Sequence, residues 1–272
     1  MKNLRKLCVY DLELSMPSES AGLLRSIAQK ISLTYLETGN PDDGLYFPVH
    51  HEEIPVAYEI LFFLRQQPEL QHLTLSRNHQ RLAGQKLLES DIPSLRSICG
   101  VASDIAEIVP GRPVTTLNVW ETDNELTTEL WAKLHTSIAP ICTTTLHIFH
   151  KDQLERNLDG MAEHLTQLWS LTLVGVRKDI DYATTSANVR LFSKLRDLTI
   201  IFTYPSELPE FDIWDDLHAS CPNLEQVSII RGCAYYPCQL LDHNSNPELL
   251  TGLPSLANLS ILSEGEVEIE DN

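Results

Sequence analysis

The amino-acid sequence predicts an α/β solenoid, in which short parallel strands alternate with helices. Three observations point to this fold. A motif of a leucine, two residues, an aliphatic residue, one residue and a second aliphatic residue recurs along the chain. Its copies open roughly 25 residues apart, with one longer step. Between several copies, apolar residues recur three and four positions apart, which is the period of an α-helix.

Four copies of the motif begin at proline, namely at Pro68, Pro93, Pro222 and Pro254. Less regular copies open at Leu4, Ala28, Val114, Thr143, Leu168 and Leu195. The pattern is typical of leucine-rich repeats. Proline suits the start of such a strand because it ends the preceding helix and needs no amide donor. We therefore expect one leucine-rich-repeat domain over residues 1–262, followed by an acidic C-terminal tail over residues 263–272.

Alternation along each strand predicts which side chains face the core. In the copy at Pro68, Leu73 and Leu75 point inward, whereas His72 and Thr74 point outward. One such strand cannot bury its apolar side alone, so neighbouring strands stack into a parallel sheet and helices cover the inner side. We expect an irregular horseshoe with a concave sheet and convex helices.

The helical segments follow from apolar spacing. The clearest spans Lys151 to Leu168, because its leucines and Met161 share one face. Further helices are expected over Ser20–Lys30 and Ile54–Gln67. Two more are expected in the apolar series that runs through Leu130, Leu134 and Ile138, and in a shorter series from Ile213 to Cys221.

Composition limits the partners. The chain has 272 residues, 43% of them hydrophobic, and a formal net charge of −18. Such a charge opposes binding to nucleic acids and anionic membranes. No run approaches the roughly 20 apolar residues of a membrane helix. We expect an intracellular protein of the cytoplasm or nucleus, with its six cysteines reduced.

Motifs for catalysis or metal binding are weak. His50-His51-Glu52-Glu53 lacks the one-face spacing of a zinc protease, and Cys233 and Cys238 have no companion pair. The sequence also lacks a phosphate-binding glycine loop and a nucleophile elbow. We expect a protein that is not an enzyme and needs neither metal nor another cofactor. A hydrolase assembled from distant residues is the remaining alternative.

The outward residues are predicted to form three rows across the sheet. The first contains Lys6, Lys30, His72, Ser97, Thr116, Thr145, Ser170, Asp197, Gln226 and Asn258. The second contains Cys8, Ser32, Thr74, Cys99, Asn118, His147, Thr172, Thr199, Ser228 and Ser260. The third contains Tyr10, Thr34, Ser76, Val101, Trp120, Phe149, Val174, Ile201, Ile230 and Leu262.

The third row is apolar from Val101 onward, and an apolar strip on an acidic surface is typical of an interaction site. We predict that it binds a protein segment, with Trp120 and Phe149 as anchors. The candidate partner-binding residues are Trp120, Phe149, Val174, Ile201, Ile230 and Leu262, with Asn118 and His147 from the second row. In the alternative, loops such as Tyr204–Pro209 cover the strip and make it part of the core.

Two segments carry a family resemblance. Pro93-Ser94-Leu95-Arg96-Ser97-Ile98-Cys99-Gly100, followed by Ile108-Val109-Pro110-Gly111-Arg112-Pro113-Val114, resembles fungal F-box proteins with divergent leucine-rich repeats. In that family an F-box holds a Skp adaptor of a cullin-type ubiquitin ligase while the repeats hold the target. The resemblance implies a substrate receptor whose repeats bind a protein target.

The F-box itself is not found. The chain opens inside a repeat at Leu4, and the nearest imitation of the F-box, Ile54 to Leu64, serves equally well as a repeat helix. Two interpretations stay open: a truncated F-box protein that recruits a Skp adaptor through a segment upstream, or a free-standing scaffold with no ligase link.

Overall fold

Ten strands dominate the computed structural model. It describes residues 4–9, 30–38, 61–75, 87–120, 128–148, 151–176, 187–202, 217, 221, 223–231 and 259–263. The strands are β1 (Lys6–Val9), β2 (Tyr35–Thr38), β3 (His72–Thr74), β4 (Ser97–Val101), β5 (Thr116–Trp120), β6 (Thr143–His147), β7 (Ser170–Val176), β8 (Asp197–Phe202), β9 (Gln226–Arg231) and β10 (Leu259–Ser263).

The strands form one open, all-parallel sheet in which strand order equals chain order. Each strand therefore pairs with the strands that precede and follow it in the sequence. Leu73 pairs with Leu36 and Ile98, and all three side chains are buried. This is the inward leucine row that the motif predicts, and the α/β solenoid-like arrangement is confirmed.

The junction between strands repeats one hydrogen-bond pattern. The carbonyl of Arg5 accepts from the amides of both Thr34 and Tyr35, at 2.9 and 3.1 Å. The same shared carbonyl recurs at every junction from β1/β2 to β8/β9, with distances from 2.7 to 3.2 Å. Each unit thus satisfies the first two amides of the next unit in the same way, which holds the strand starts in register.

Helices cover the face to which the inward residues point. Among the described residues these are α1 (Ala102–Ile108), α2 (Thr128–Leu134) and α3 (Lys151–His164), and residues 61–65, 187–189 and 217 are also helical. Ile105, Trp131 and Leu158 are fully buried in the same core as the strand leucines. Gly160 permits the close contact of α3 with α2, because a Cβ there would lie 2.6 Å from Cδ1 of Trp131.

The predicted helices are partly corrected. The helix from Lys151 ends at His164, four residues before Leu168. The series ending at Ile138 forms only α2, and Ile138 is 73% exposed. The sequence analysis missed α1. Of the three other predicted helices, residues 20–29, 54–60, 213–216 and 218–220 lie outside the described residues.

Two strands have a different register from the predicted one. In β2, Tyr35 and not Lys30 pairs with Lys6, because Leu33 and Leu36 are the buried residues that fix the strand. In β6, Thr143 occupies the first row in place of Thr145.

The β6 error is a shift of two residues. Ile141 supplies the opening aliphatic position, and Thr144 fills the inward position where a leucine is usual. A shift of two residues keeps every side chain on its predicted face. It moves Thr145 to the second row and His147 to the third. Phe149, which was predicted for the third row, lies outside the described residues.

A buried arginine joins the segment before β4 to the turn after α1. The guanidinium of Arg112 donates to the carbonyls of Leu88, Asp91, Ile108 and Pro110. Burial lowers the pKa of Arg112, and the charges of Asp91 and Glu89 oppose that shift. This arginine belongs to one of the two segments that carry the family resemblance, and its role here is to satisfy backbone carbonyls in the core.

Replacement of Thr144 by valine tests the β6 register. The Thr144 hydroxyl is buried and has no hydrogen-bond partner among the described residues. Thr144→Val keeps the shape and removes the buried hydroxyl, so we expect the free energy of unfolding to rise by about 1 kcal/mol. Chemical denaturation measures this change, with the half-exposed outward Thr199→Val as a control near zero. Destabilisation by Thr144→Val would contradict the assignment.

Candidate binding face of the sheet

The pairing of the strands defines the rows of the outward face. The first row is Lys6, Tyr35, His72, Ser97, Thr116, Thr143, Ser170, Asp197 and Gln226. The third row, two pairs further along the strands than the second, contains Val101, Trp120, His147, Val174, Ile201, Ile230 and Leu262. A leading row precedes the first and consists of the residues whose carbonyls are shared, together with Glu225: Arg5, Thr34, Gln71, Arg96, Thr115, Cys142, Trp169, Arg196 and Glu225.

Accessibility changes steeply across this face. Every residue of the leading row and the first row is exposed or half-exposed. The second row is mixed, since Cys99, Asn118 and Thr145 are buried whereas Thr74, Thr172 and Thr199 are half-exposed. Every third-row side chain that the structure describes is buried. The leading and first rows together, called the band below, are therefore the part of the face that is accessible on every strand from β1 to β9.

The predicted partner-binding residues lie mostly on the buried side. Trp120, Val174 and Ile201 align in the third row, as predicted, with 7%, 4% and 7% of their surface exposed. Ile230 and Leu262 hold third-row positions by strand pairing, and their side chains are outside the description. For these three side chains, the burial agrees with the alternative in which the strip is part of the core. Binding through them stays a prediction, and it requires a rearrangement that exposes them.

Asn118 and His147 contact each other inside this buried region. The Nε2 of His147 lies 3.1 Å from Oδ1 of Asn118, and both side chains are buried. The amide oxygen can only accept, so Nε2 of His147 donates the hydrogen. The contact runs diagonally from the second row of β5 to the third row of β6. The sequence analysis placed both residues in one row, and the two-residue shift of β6 accounts for the difference.

A bulge in β7 follows the third-row residue Val174. The register shifts between Val174 and Val176, and Gly175 between them has φ +89°. A Cβ at Gly175 would lie 2.5 Å from the carbonyl oxygen of Ile148, so only glycine fits without displacing backbone. The Val174 carbonyl accepts from the amide of Ile148 at 2.7 Å. This contact fixes the path of the chain as it leaves β6.

Aromatic and cationic groups meet at the β1–β3 end of the band. The ammonium of Lys6 lies 4.3 Å from the centre of the Tyr35 ring, and the Tyr35 and His72 rings are 5.9 Å apart. The Tyr35 hydroxyl donates to Glu37 at 2.9 Å. Partial burial lowers the pKa of His72, so its ring is neutral at physiological pH. Arg5 beside this group forms a salt bridge with Glu69.

The opposite end of the band carries an exposed tryptophan and acidic groups. Trp169 on the leading row of β7 is 41% exposed. Its carbonyl accepts from the amides of Arg196 and Asp197 on the next unit. The Nη1 of Arg196 lies 3.7 Å from Oε1 of Glu225. Burial raises the pKa of Asp197, Glu225 acts in the same direction, and Arg196 partly offsets both.

The sequence analysis missed the leading row. Strict alternation cannot assign the residue after each opening leucine to a face, because two residues separate that leucine from the next inward position. One signal could have identified it. This position carries arginine, threonine, glutamine, cysteine, tryptophan or glutamate, and never an aliphatic residue, in every unit from Arg5 to Glu225.

The weak metal and catalytic motifs lie outside the described residues, both His50–Glu53 and the pair Cys233 and Cys238. Within the described ranges, no group of three or more His, Cys, Asp or Glu residues could hold a metal ion. Cys99, Cys142 and Cys221 are free thiols, and burial raises the pKa of Cys221. In the same part of the chain, no helix has both the length and the apolar character needed to cross a membrane.

Comparison with known proteins gave no relative: no protein-family model matches the sequence, and no curated protein matches it.

A double substitution tests the contact between Asn118 and His147. Asn118→Leu removes the acceptor of a buried histidine N–H, and we expect a loss of about 1–3 kcal/mol in the free energy of unfolding. Asn118→Leu combined with His147→Phe removes both polar partners, so we expect a smaller loss than for Asn118→Leu alone. Denaturant unfolding of the single and double variants checks this. Losses that simply add would contradict the contact.

The raised pKa of Asp197 predicts a pH dependence. The folded protein holds the Asp197 proton more tightly than the unfolded chain, so the contribution of this group to stability falls as the pH rises through the folded pKa. We expect Asp197→Asn to melt at a higher temperature than wild type at neutral pH. The difference should vanish below about pH 4, where the unfolded carboxyl is protonated too. Asp159→Asn on the exposed face of α3 is the control. A less stable Asp197→Asn protein at neutral pH would refute the expectation.

Proposed function

We propose that the chain is a non-catalytic protein-binding module of the leucine-rich-repeat type, and that it holds a protein partner on the band. The observation that carries this proposal is the continuity of the band. It crosses nine consecutive strands, from Arg5 and Lys6 to Glu225 and Gln226, and none of its residues is buried. Repeat proteins use such extended faces for binding, because each unit adds one more accessible position.

The repeat character supports the leucine-rich-repeat assignment. The inward leucines, the chain-ordered parallel strands and the shared carbonyl recur unit by unit. The leucine-rich-repeat assignment also implies that the sheet is curved like a horseshoe, and we include this curvature in the proposal. The side chains on the band also suit contact with protein, since Tyr35, Trp169 and Arg96 are of the types that contribute most to interface energy.

The finer proposal is target recognition for a cullin-type ubiquitin ligase. It rests on the resemblance of residues 93–100 and 108–114 to fungal F-box proteins with leucine-rich repeats. The band would then hold the target, and an F-box would hold the Skp adaptor. The alternative from a different class is a free-standing scaffold with the same binding face and no adaptor.

Site-specific photo-crosslinking tests the binding face. We expect a photoreactive amino acid at Thr116 or Ser170, in the first row, to crosslink the same cellular protein. The same group at Asp159 or Glu163, exposed on α3, should not crosslink that protein. The reason is that a partner on the band contacts one face of the module only. Mass spectrometry identifies the products. Equal crosslinking from both faces, or none from the band, would overturn the proposal.

The native transcript and a purified Skp adaptor separate the ligase proposal from the scaffold. An F-box encoded upstream of Met1, or capture of the adaptor by the protein made from the native transcript, supports the ligase link. Crosslinking from the band with neither result supports the scaffold.

A further inference from the structure

The charges on the band are divided between its two ends. Arg5 and Glu69 neutralise each other, as do Arg196 and Glu225. Lys6 and Arg96, at the β1–β4 end, form no ion pair with another described residue, and the same holds for Asp197 on β8. Between them, the band on β5 and β6 is uncharged, with Thr115, Thr116, Cys142 and Thr143. The band therefore has a cationic end and an anionic end.

Trp169 lies beside the anionic end. Ser170, the next residue, pairs directly with Asp197, and the Trp169 carbonyl accepts from the amide of Asp197 at 3.0 Å. A partner cation at Asp197 would therefore lie one strand from an exposed indole face. Tryptophan offers apolar contact area and attracts cations over its ring.

We propose, on the basis of the protein-binding function above, that the band binds an extended peptide segment of bipolar charge. The acidic end of the segment lies over Lys6 and Arg96. Its basic end lies at Asp197, with an apolar residue of the segment on Trp169.

The strand spacing sets the length of this segment. Four strand steps separate Arg96 from Asp197, about 19 Å, which an extended chain of about six residues covers. Seven steps separate Lys6 from Asp197, about 34 Å, or about ten extended residues. A helix would need about 23 residues for the longer span. The band is two residues wide, and on its middle strands it carries half-exposed hydroxyl residues. A single extended chain covers such a strip, because its alternate side chains point to the same face.

Charge reversal provides the experiment. The probe is a fluorescent peptide of about twelve residues, with aspartates at one end, lysines at the other and neutral residues including leucine between. We expect it to bind the full chain at low salt at least about threefold more tightly than a peptide of equal composition in which aspartate and lysine alternate. Fluorescence anisotropy measures both affinities.

Reversal of one end, and then of both ends, identifies them. Asp197→Arg alone, and Lys6→Glu combined with Arg96→Glu, should each weaken binding of the bipolar peptide about threefold or more, because each leaves the band with one sign of charge at both ends. The variant that carries all three substitutions is bipolar again with the opposite direction, and the free peptide can turn around. We therefore expect its affinity to return to within about twofold of wild type. Trp169→Ala should weaken binding in both orientations.

The control is Glu163→Arg on α3, which changes the net charge as Asp197→Arg does but lies off the band, and it should leave affinity unchanged. Circular dichroism confirms that each variant is folded. Equal binding of the bipolar and alternating peptides would overturn the proposal, as would a triple variant that binds no more tightly than the variants reversed at one end. Crosslinking from Thr116 and Ser170 to a cellular protein would remain in either case, so failure of the bipolar model and failure of the protein-binding function give different results.

Discussion

The structure depends on the way each unit meets the next. One carbonyl at the start of a strand accepts two amides from the following unit, and the inward leucine of that unit then falls beside the previous one. Parallel strands have no hairpin to set their register, so the repeated junction and the buried leucines must set it together. The rows on the outward face follow from this constraint. Side chains that are far apart in the sequence, such as Lys6 and Asp197, therefore lie in one row.

The sequence predicted this architecture well where leucine fills the inward positions. The copies at Pro68, Pro93 and Pro222 have the predicted strands, and Leu70, Leu95 and Leu224 are buried as their opening residues. Prediction failed on two strands for different reasons. In β6, Thr144 takes the inward place of a leucine, and the predicted start was wrong by two residues, a shift that a period of two cannot detect. In β2, the strand fixed by Leu33 and Leu36 lies five residues after the predicted one, because a competing alternation around Ile31 gave the wrong strand.

The candidate site was predicted less well, for a different reason. The pattern showed that Trp120, Val174 and Ile201 share one row, and this is correct. It could not show that the row is buried, because burial depends on what lies above the sheet and not on the alternation within it. The contact of Asn118 with His147 likewise joins different rows of different strands. The leading row was not predicted because the hydrogen bonds of its carbonyls join different units, which the alternation within one strand does not show.

Accessibility and charge together distinguish the two long sides of the outward face. On the side near the strand starts, Tyr35, Trp169 and several charged groups are accessible to solvent. On the side near the strand ends, the described side chains are apolar residues and a histidine, and all are buried. Polar rims with exposed aromatic residues suit reversible contact with a partner, and closed apolar rows stabilise the fold. Under the proposed binding function, recognition and stability lie on different edges of one sheet, and substitutions on the band would then alter the partner without disturbing the core.

The shared carbonyl also determines how the molecule unfolds. Among the described residues its hydrogen bonds join only consecutive units, so these bonds do not oblige the whole sheet to melt at once. Damage to one unit leaves those on either side still bonded to their own neighbours. On heating, the chain should therefore unfold in groups of neighbouring units. The hydrogen-exchange rates of the amides that donate to the shared carbonyls should differ between these groups. The same locality lets each unit dock on the one before it as the ribosome extends the chain, without waiting for the C-terminal residues.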